Sequence, residues 1–230
     1  MKLIKCSLLL IVGLSLFIPK VFADNLDNVP LATLKQRMNH GDTDAETKYY
    51  TITGKKYKNK SLTQLEEMAN QGDGDAAAQL ASKYEFGMDG ASKDPEKALE
   101  WYKKSVNLGF EESLMNVANF YLDGKVVPQD VNKAIKLYEQ VANKGSLRAY
   151  NFLGVLYSQN KYGIEDFFKS KEWFEKAANL GSGFALFNLG SYYENGIGTL
   201  QDKEKAKEYY KQACLKKEQA GCSGYKRLNN

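Results

Sequence analysis

From residue 80 onward, the apolar positions follow two alternating registers that together predict paired helices. The first register sets a large aliphatic residue four ahead of a tyrosine: Leu80 and Tyr84, Val117 and Tyr121, Leu153 and Tyr157, Leu189 and Tyr193. Four residues is about one helical turn, so each pair shares a face. A small residue follows each aliphatic one (Ala81, Ala118, Gly154, Gly190), which lets a second helix approach closely. The second register comes after a polar gap. Ala98, Ala134, Ser170 and Ala206 are followed three and four residues later by Trp101-Tyr102, Leu137-Tyr138, Trp173-Phe174 and Tyr209-Tyr210.

The polar gap repeats as faithfully as the apolar positions. Asp94, Asp130, Asp166 and Asp202 are each 36 residues apart, and so are Lys97, Lys133, Lys169 and Lys205. Each aspartate is placed to cap the second helix, since its carboxylate accepts from the free N–H groups of the first turn. Pro95 suits the first helical position, where no donor is missed. The lysines face away from the apolar stripe and are expected to be solvated. Leu108-Gly109, Lys144-Gly145 and Leu180-Gly181 mark the helix ends, because glycine tolerates the left-handed conformation. A helical hairpin of this kind cannot bury both faces alone, so neighbouring hairpins must stack.

These residues resemble the Sel1-like repeat, a relative of the tetratricopeptide repeat. The fourth unit carries the pattern most fully: Ala185, Leu189-Gly190, Tyr193, Gly196-Ile197-Gly198, Asp202, Lys205-Ala206, Tyr209-Tyr210 and Gln212-Ala213. The third unit departs at Asn160 and Ser170, the second at Ser113 and Val117. The resemblance implies an all-α, right-handed α-solenoid of stacked helical hairpins. Units are expected at 75–110, 111–146, 147–182 and 183–218, with a capping helix at 219–230. Residues 24–74 form a degenerate opening unit. Leu31, Leu34, Gly41, Asp42, Asp44 and Ala45 recur 31 residues later as Leu62, Leu65, Gly72, Asp73, Asp75 and Ala76. Helices are expected there near 30–40, 44–52 and 61–71, with Thr53 to Lys60 as a polar loop.

The N-terminus reads as an export signal: Lys2 and Lys5, an apolar run from Leu8 to Ile18, and Val21-Phe22-Ala23 at the cleavage position, with cleavage after Ala23. The apolar run is shorter than the roughly 20 residues a membrane span needs. No stable membrane insertion is expected after cleavage, and the location implied is periplasmic or secreted. Removing residues 1–23 takes away Lys2, Lys5 and Lys20 and lowers the formal charge from +4 to +1. The basic balance of the precursor therefore says nothing about nucleic acid, and no nucleic-acid partner is expected.

Chemistry-bearing residues are few. The single histidine, His40, stands at an expected helix end, where the helix dipole favours it. With one histidine and few cysteines, a zinc site cannot be assembled. Asp42-Thr-Asp44 and Asp73-Gly-Asp75 lack the further ligands of a calcium loop and read as caps. Gly196-Ile-Gly198 lacks the strand of a nucleotide site. No cofactor and no enzyme activity are expected. The resemblance extends to a cysteine-rich Sel1 subgroup linked with penicillin binding and β-lactam hydrolysis, which supplies the alternative function. Ser158-Gln-Asn-Lys161 and Ser223-Gly-Tyr-Lys226 fit Ser-x-x-Lys, but Ser-Asp-Asn and Lys-Thr-Gly are missing. Loss of Cys6 with the signal leaves Cys214 and Cys222 as an even pair in an exported chain. In the cysteine-rich subgroup such a pair, eight residues apart, staples one unit to the next helix.

Function then falls to a surface. By analogy with tetratricopeptide repeats, the concave side is lined two before, two after and five after each aliphatic anchor. That selects Ala78, Ser82, Glu85, Met115, Asn119, Leu122, Asn151, Val155, Ser158, Phe187, Ser191 and Glu194. Met115, Leu122, Val155 and Phe187 are the expected apolar anchors for a protein partner. The resemblance implies a monomeric interaction module: a periplasmic adaptor, an immunity protein that neutralises an effector, or a secreted binder of a host protein.

Overall fold

The computed structural model describes residues 26–39 and 42–229. The expected signal with its cleavage point at Ala23, and His40, lie outside the described residues. The described residues form twelve α-helices and no strand. An opening trio, α1 (Leu31–Asn39), α2 (Thr43–Tyr57) and α3 (Leu62–Asn70), is followed by four hairpins. These are α4 (Gly74–Phe86) with α5 (Pro95–Asn107), α6 (Ser113–Asp123) with α7 (Val131–Ala142), α8 (Leu147–Tyr157) with α9 (Phe167–Asn179), and α10 (Gly183–Asn195) with α11 (Lys203–Leu215). Helix α12 (Gln219–Asn229) packs on α11. The architecture is an all-α repeat solenoid.

The aspartates of the period cap as their position dictates. Asp94, Asp130, Asp166 and Asp202 accept from the backbone N–H groups of Lys97, Lys133, Lys169 and Lys205 at 2.8–3.0 Å. Their own N–H groups donate to the carbonyls of Tyr84, Tyr121, Tyr157 and Tyr193 at 2.7–2.9 Å, closing each hairpin. The lysines lie near the surface as expected, yet they are not merely solvated. Lys97, Lys133 and Lys205 hold their ammonium groups 4.1–4.3 Å from the ring centroids of Tyr84, Tyr121 and Tyr193, and Lys169 sits 5.3 Å from that of Tyr157. The ring face is electron-rich and attracts the cation. One tyrosine thus receives an N–H on its carbonyl and a cation on its ring, in every unit.

The core runs between the two helices of each hairpin. The second residue of each large pair (Tyr102, Tyr138, Phe174, Tyr210) is fully buried. Gly154 and Gly190 leave room for it: a Cβ at either position would lie 2.6–2.7 Å from the ring of Phe174 or Tyr210. Buried tyrosine hydroxyls need acceptors. Tyr102 donates to Glu85 and Tyr210 to Glu194, both at 2.7 Å, while Tyr138 donates to Asn119. Gly109, Gly145 and Gly181 stop their helices at φ 85–87°. In the fourth unit that position is Lys217, which adopts φ 65° without being glycine.

The opening unit is a structural echo as well as a sequence one. Leu34 and Leu65 are fully buried in α1 and α3, Ala45 and Ala76 in α2 and α4. Asp42 and Asp73 cap α2 and α4. The expected polar loop from Thr53 is corrected: α2 continues to Tyr57. Thr53 is buried and returns its hydroxyl to the Tyr49 carbonyl, and buried Tyr57 donates to Asp73 at 3.0 Å. Tertiary burial outweighs the weak helix preference of Thr53 and Gly54.

Candidate functional site

The first helices of successive units share a face, and two cavities run along it. One, of about 330 Å³, takes residues from α2, α4, α6 and α8. Of the expected inward residues, Ala78, Ser82, Glu85 and Asn119 line it, beside Tyr49, Asp75, Glu112 and Arg148. The second, of about 320 Å³, is a shallow, open depression built by Met115, Asn151 and Val155 together with Arg148, Phe152 and Phe184. Arg148 belongs to the wall of both, so the cavities adjoin.

The remaining expected residues are placed otherwise. Leu122 is buried within the α6–α7–α8 core, which removes it from the surface. Phe187 is half-buried, with its ring 5.7 Å from that of Tyr210. Ser191 accepts from the Asn195 side chain on its carbonyl at 2.9 Å. Glu194 accepts from Tyr210 and is gripped by both terminal nitrogens of Arg227. That hydrogen-bonded guanidinium holds the Glu194 carboxyl well down, at about 2 against an ordinary 4.5. Glu85 and Asn119 likewise spend an acceptor on a buried tyrosine. These groups serve the fold while standing at the face.

Among the lining residues not selected from sequence are Asp75, Glu112, Arg148 and Phe184. They have one signal in common. Each lies five residues before the aliphatic anchor of its unit, one turn further along the stripe already counted at minus two, plus two and plus five. Burial raises the Asp75 carboxyl above its ordinary range, helped by the charge of Asp73. Glu112 is paired with Lys35 at 2.9 Å.

Neither Ser-x-x-Lys serine is placed as a nucleophile. Ser158, at the C-cap of α8, donates to the Val155 carbonyl and Ser223, in α12, to the Gln219 carbonyl, while the Lys161 ammonium lies 4.8 Å from the Tyr162 centroid. Cys214, late in α11, and Cys222, in α12, are brought to bonding distance with Cα atoms 4.5 Å apart.

Capped hairpins, a run of buried apolar clusters along the stack and a cavity-bearing face define a repeat solenoid of the tetratricopeptide kind. The chain belongs to the Sel1 repeat family, whose model matches residues 74–110, 111–146, 147–182 and 183–217. No curated protein shows significant similarity to the chain. Among solved structures, it is similar to a protective antigen of uropathogenic Escherichia coli strains that displays an SLR fold. The two share 26% identity and a TM-score of 0.63 over 84% of this chain and 42% of that one. A Sel1 repeat protein from Oxalobacter formigenes shares 27% identity and a TM-score of 0.60, over 73% of this chain and 48% of that one. A third, a sel1 repeat protein from Klebsiella pneumoniae subsp. pneumoniae, shares 25% identity and a TM-score of 0.51, over 87% of this chain and all of that one. The chain therefore spans less than half the length of the first two.

Proposed function

We propose that this chain is an exported protein-interaction module that binds a protein partner along the concave, first-helix face of a monomeric solenoid. The observation that carries the reading is the pair of adjoining cavities lined by α2, α4, α6, α8 and α10, on the face the repeat presents. A stacked array uses such a face because its side chains differ from unit to unit while the core does not. After cleavage at Ala23 the protein works in the periplasm or outside the cell, as an adaptor, an effector-neutralising protein or a binder of a host protein. The antigen of the same fold supports exposure beyond the cytoplasm. In that compartment Cys214 and Cys222 oxidise and staple α12 to the fourth unit.

The test places a photo-crosslinking residue at Val155 in the second cavity and, separately, at the exposed Lys136 of α7. Crosslinks to one defined protein from position 155 and not from 136, in periplasmic extract or host serum, support the reading. Equal capture from both positions sinks it. Mass spectrometry of the secreted fraction checks export, since the mature chain should begin at Asp24.

A further inference from the structure

The positions five before each anchor, taken in chain order, read Asp75, Glu112, Arg148 and Phe184: two acids, then a base, then an aromatic ring. The acids are engaged within the fold, Asp75 by the Tyr49 hydroxyl at 3.3 Å and Glu112 by Lys35. Arg148 differs. It is exposed, and its guanidinium has one polar partner among the described residues, the Tyr50 hydroxyl at 3.3 Å. A guanidinium offers five donors in a fixed fork, so most of this directional capacity is unused.

Next to Arg148 lies the apolar groove of Met115, Phe152, Val155 and Phe184, in which the Phe184 ring remains 42% exposed. Asn151, also on its rim, has its carboxamide oxygen occupied by the Ser182 hydroxyl at 3.0 Å, which leaves its NH₂ as the free function. Donors bordering an apolar groove match a carboxylate standing near a large apolar side chain. Because Arg148 walls both cavities, the groove does not end there, and a bound chain runs past it. That favours an acidic side chain over a terminal carboxylate.

We infer that this face takes an extended segment of a partner protein that pairs an acidic side chain with Arg148 and seats a large apolar side chain in the Met115–Val155–Phe184 groove. The inference rests on the first-helix face being the binding surface. Arg148 itself walls that groove, and an extended chain advances about 3.3 Å per residue, so the acid and the apolar side chain stand within about three residues of each other.

The test screens the protein against a library of acetylated, amidated dodecapeptides, whose blocked ends leave side chains as the sole carboxylates. The expected result is enrichment of Asp or Glu within about three residues of Phe, Leu or Trp. An enriched peptide should bind about tenfold more weakly to Arg148→Gln and to Val155→Asp, and unchanged to Leu200→Ser. Arg148 is exposed, so Arg148→Gln keeps the fold, which circular dichroism verifies. Three outcomes overturn the inference: no enrichment, enriched peptides without an acid, or full affinity for Arg148→Gln. Peptides weakened by Ser82→Trp but not by Arg148→Gln would remove the Arg148 assignment and leave the face standing. Peptides indifferent to changes in both cavities would remove both.

Discussion

The Lys97 ammonium lies 4.1 Å from the centroid of the Tyr84 ring, and Tyr84 at the same time accepts the Asp94 N–H on its carbonyl. The pairing joins the start of α5 to the last turn of α4, and the three later units repeat it. Replacing Lys97 by Met should lower stability by about 0.5 kcal/mol, the size of an exposed cation–π contact. Lys97→Arg should cost less, because the charge over the ring is kept. Urea unfolding of both variants, with Tyr84→Leu to complete a double-mutant cycle, gives the coupling. A coupling of zero would show the lysines to be ordinary surface charges.

Lys217 occupies the left-handed position that glycine holds in the earlier units. A side chain there is strained by about 1 kcal/mol. Lys217→Gly should therefore stabilise the protein and raise Tm, against the usual direction of a glycine substitution. An unchanged or lowered Tm would mean that contacts of the lysine side chain offset the strain.

Gly154 has no space for a side chain, since even a Cβ would lie 2.6 Å from the Phe174 ring. Gly154→Val should cost about 2 kcal/mol through overpacking of the α8–α9 hairpin. Chemical denaturation is the measurement. A loss no larger than that of a surface valine would show that the Phe174 ring has somewhere to move.

Glu194 titrates low because the Arg227 guanidinium, and then the Tyr210 hydroxyl, bind its charged form. A carboxyl depressed in the folded state contributes its stability above the unfolded-state value and loses it as pH falls through the folded one. The window runs from about pH 4.5 down to about 2. Glu194→Gln should flatten the pH dependence of Tm across that interval, and Arg227→Met should do so nearly as well. A wild-type slope that survives both changes would assign the acid sensitivity elsewhere.

Cys214 and Cys222 enclose a short loop, so their bond should add about 2 kcal/mol to the α11–α12 junction. Native non-reducing protein should resist thiol labelling at both positions, and reduction should speed amide exchange in α12 before α4 to α10. Ready labelling of both cysteines without reductant would refute the staple.

Much of this architecture was legible in the sequence because a repeat states each rule four times. The aspartates could be read as caps and the glycines as stops, since each acts on its own turn. Residues that act across helices were harder. Glu85, Asn119 and Glu194 had the right register for a binding face, but their tyrosine partners 16–19 residues away were not visible in it. Leu122 sits on the counted stripe and is nonetheless drawn into the core. Arg148 and Phe184 escaped because they stand in the first turn of α8 and α10, where side chains read as part of the helix start. The α2 extension through Tyr57 was hidden by Gly54 and the surrounding lysines, whose local preference says loop.

The clasp on each tyrosine has a kinetic side. The groups it joins, an Asp N–H to a Tyr carbonyl and a Lys to the same ring, are separated by little more than a dozen residues in any unit. Contacts of such short span form quickly and need no distant segment to be present. A chain emerging end-first through a narrow channel can thus close its hairpins in the order in which they appear, each offering a finished surface for the next.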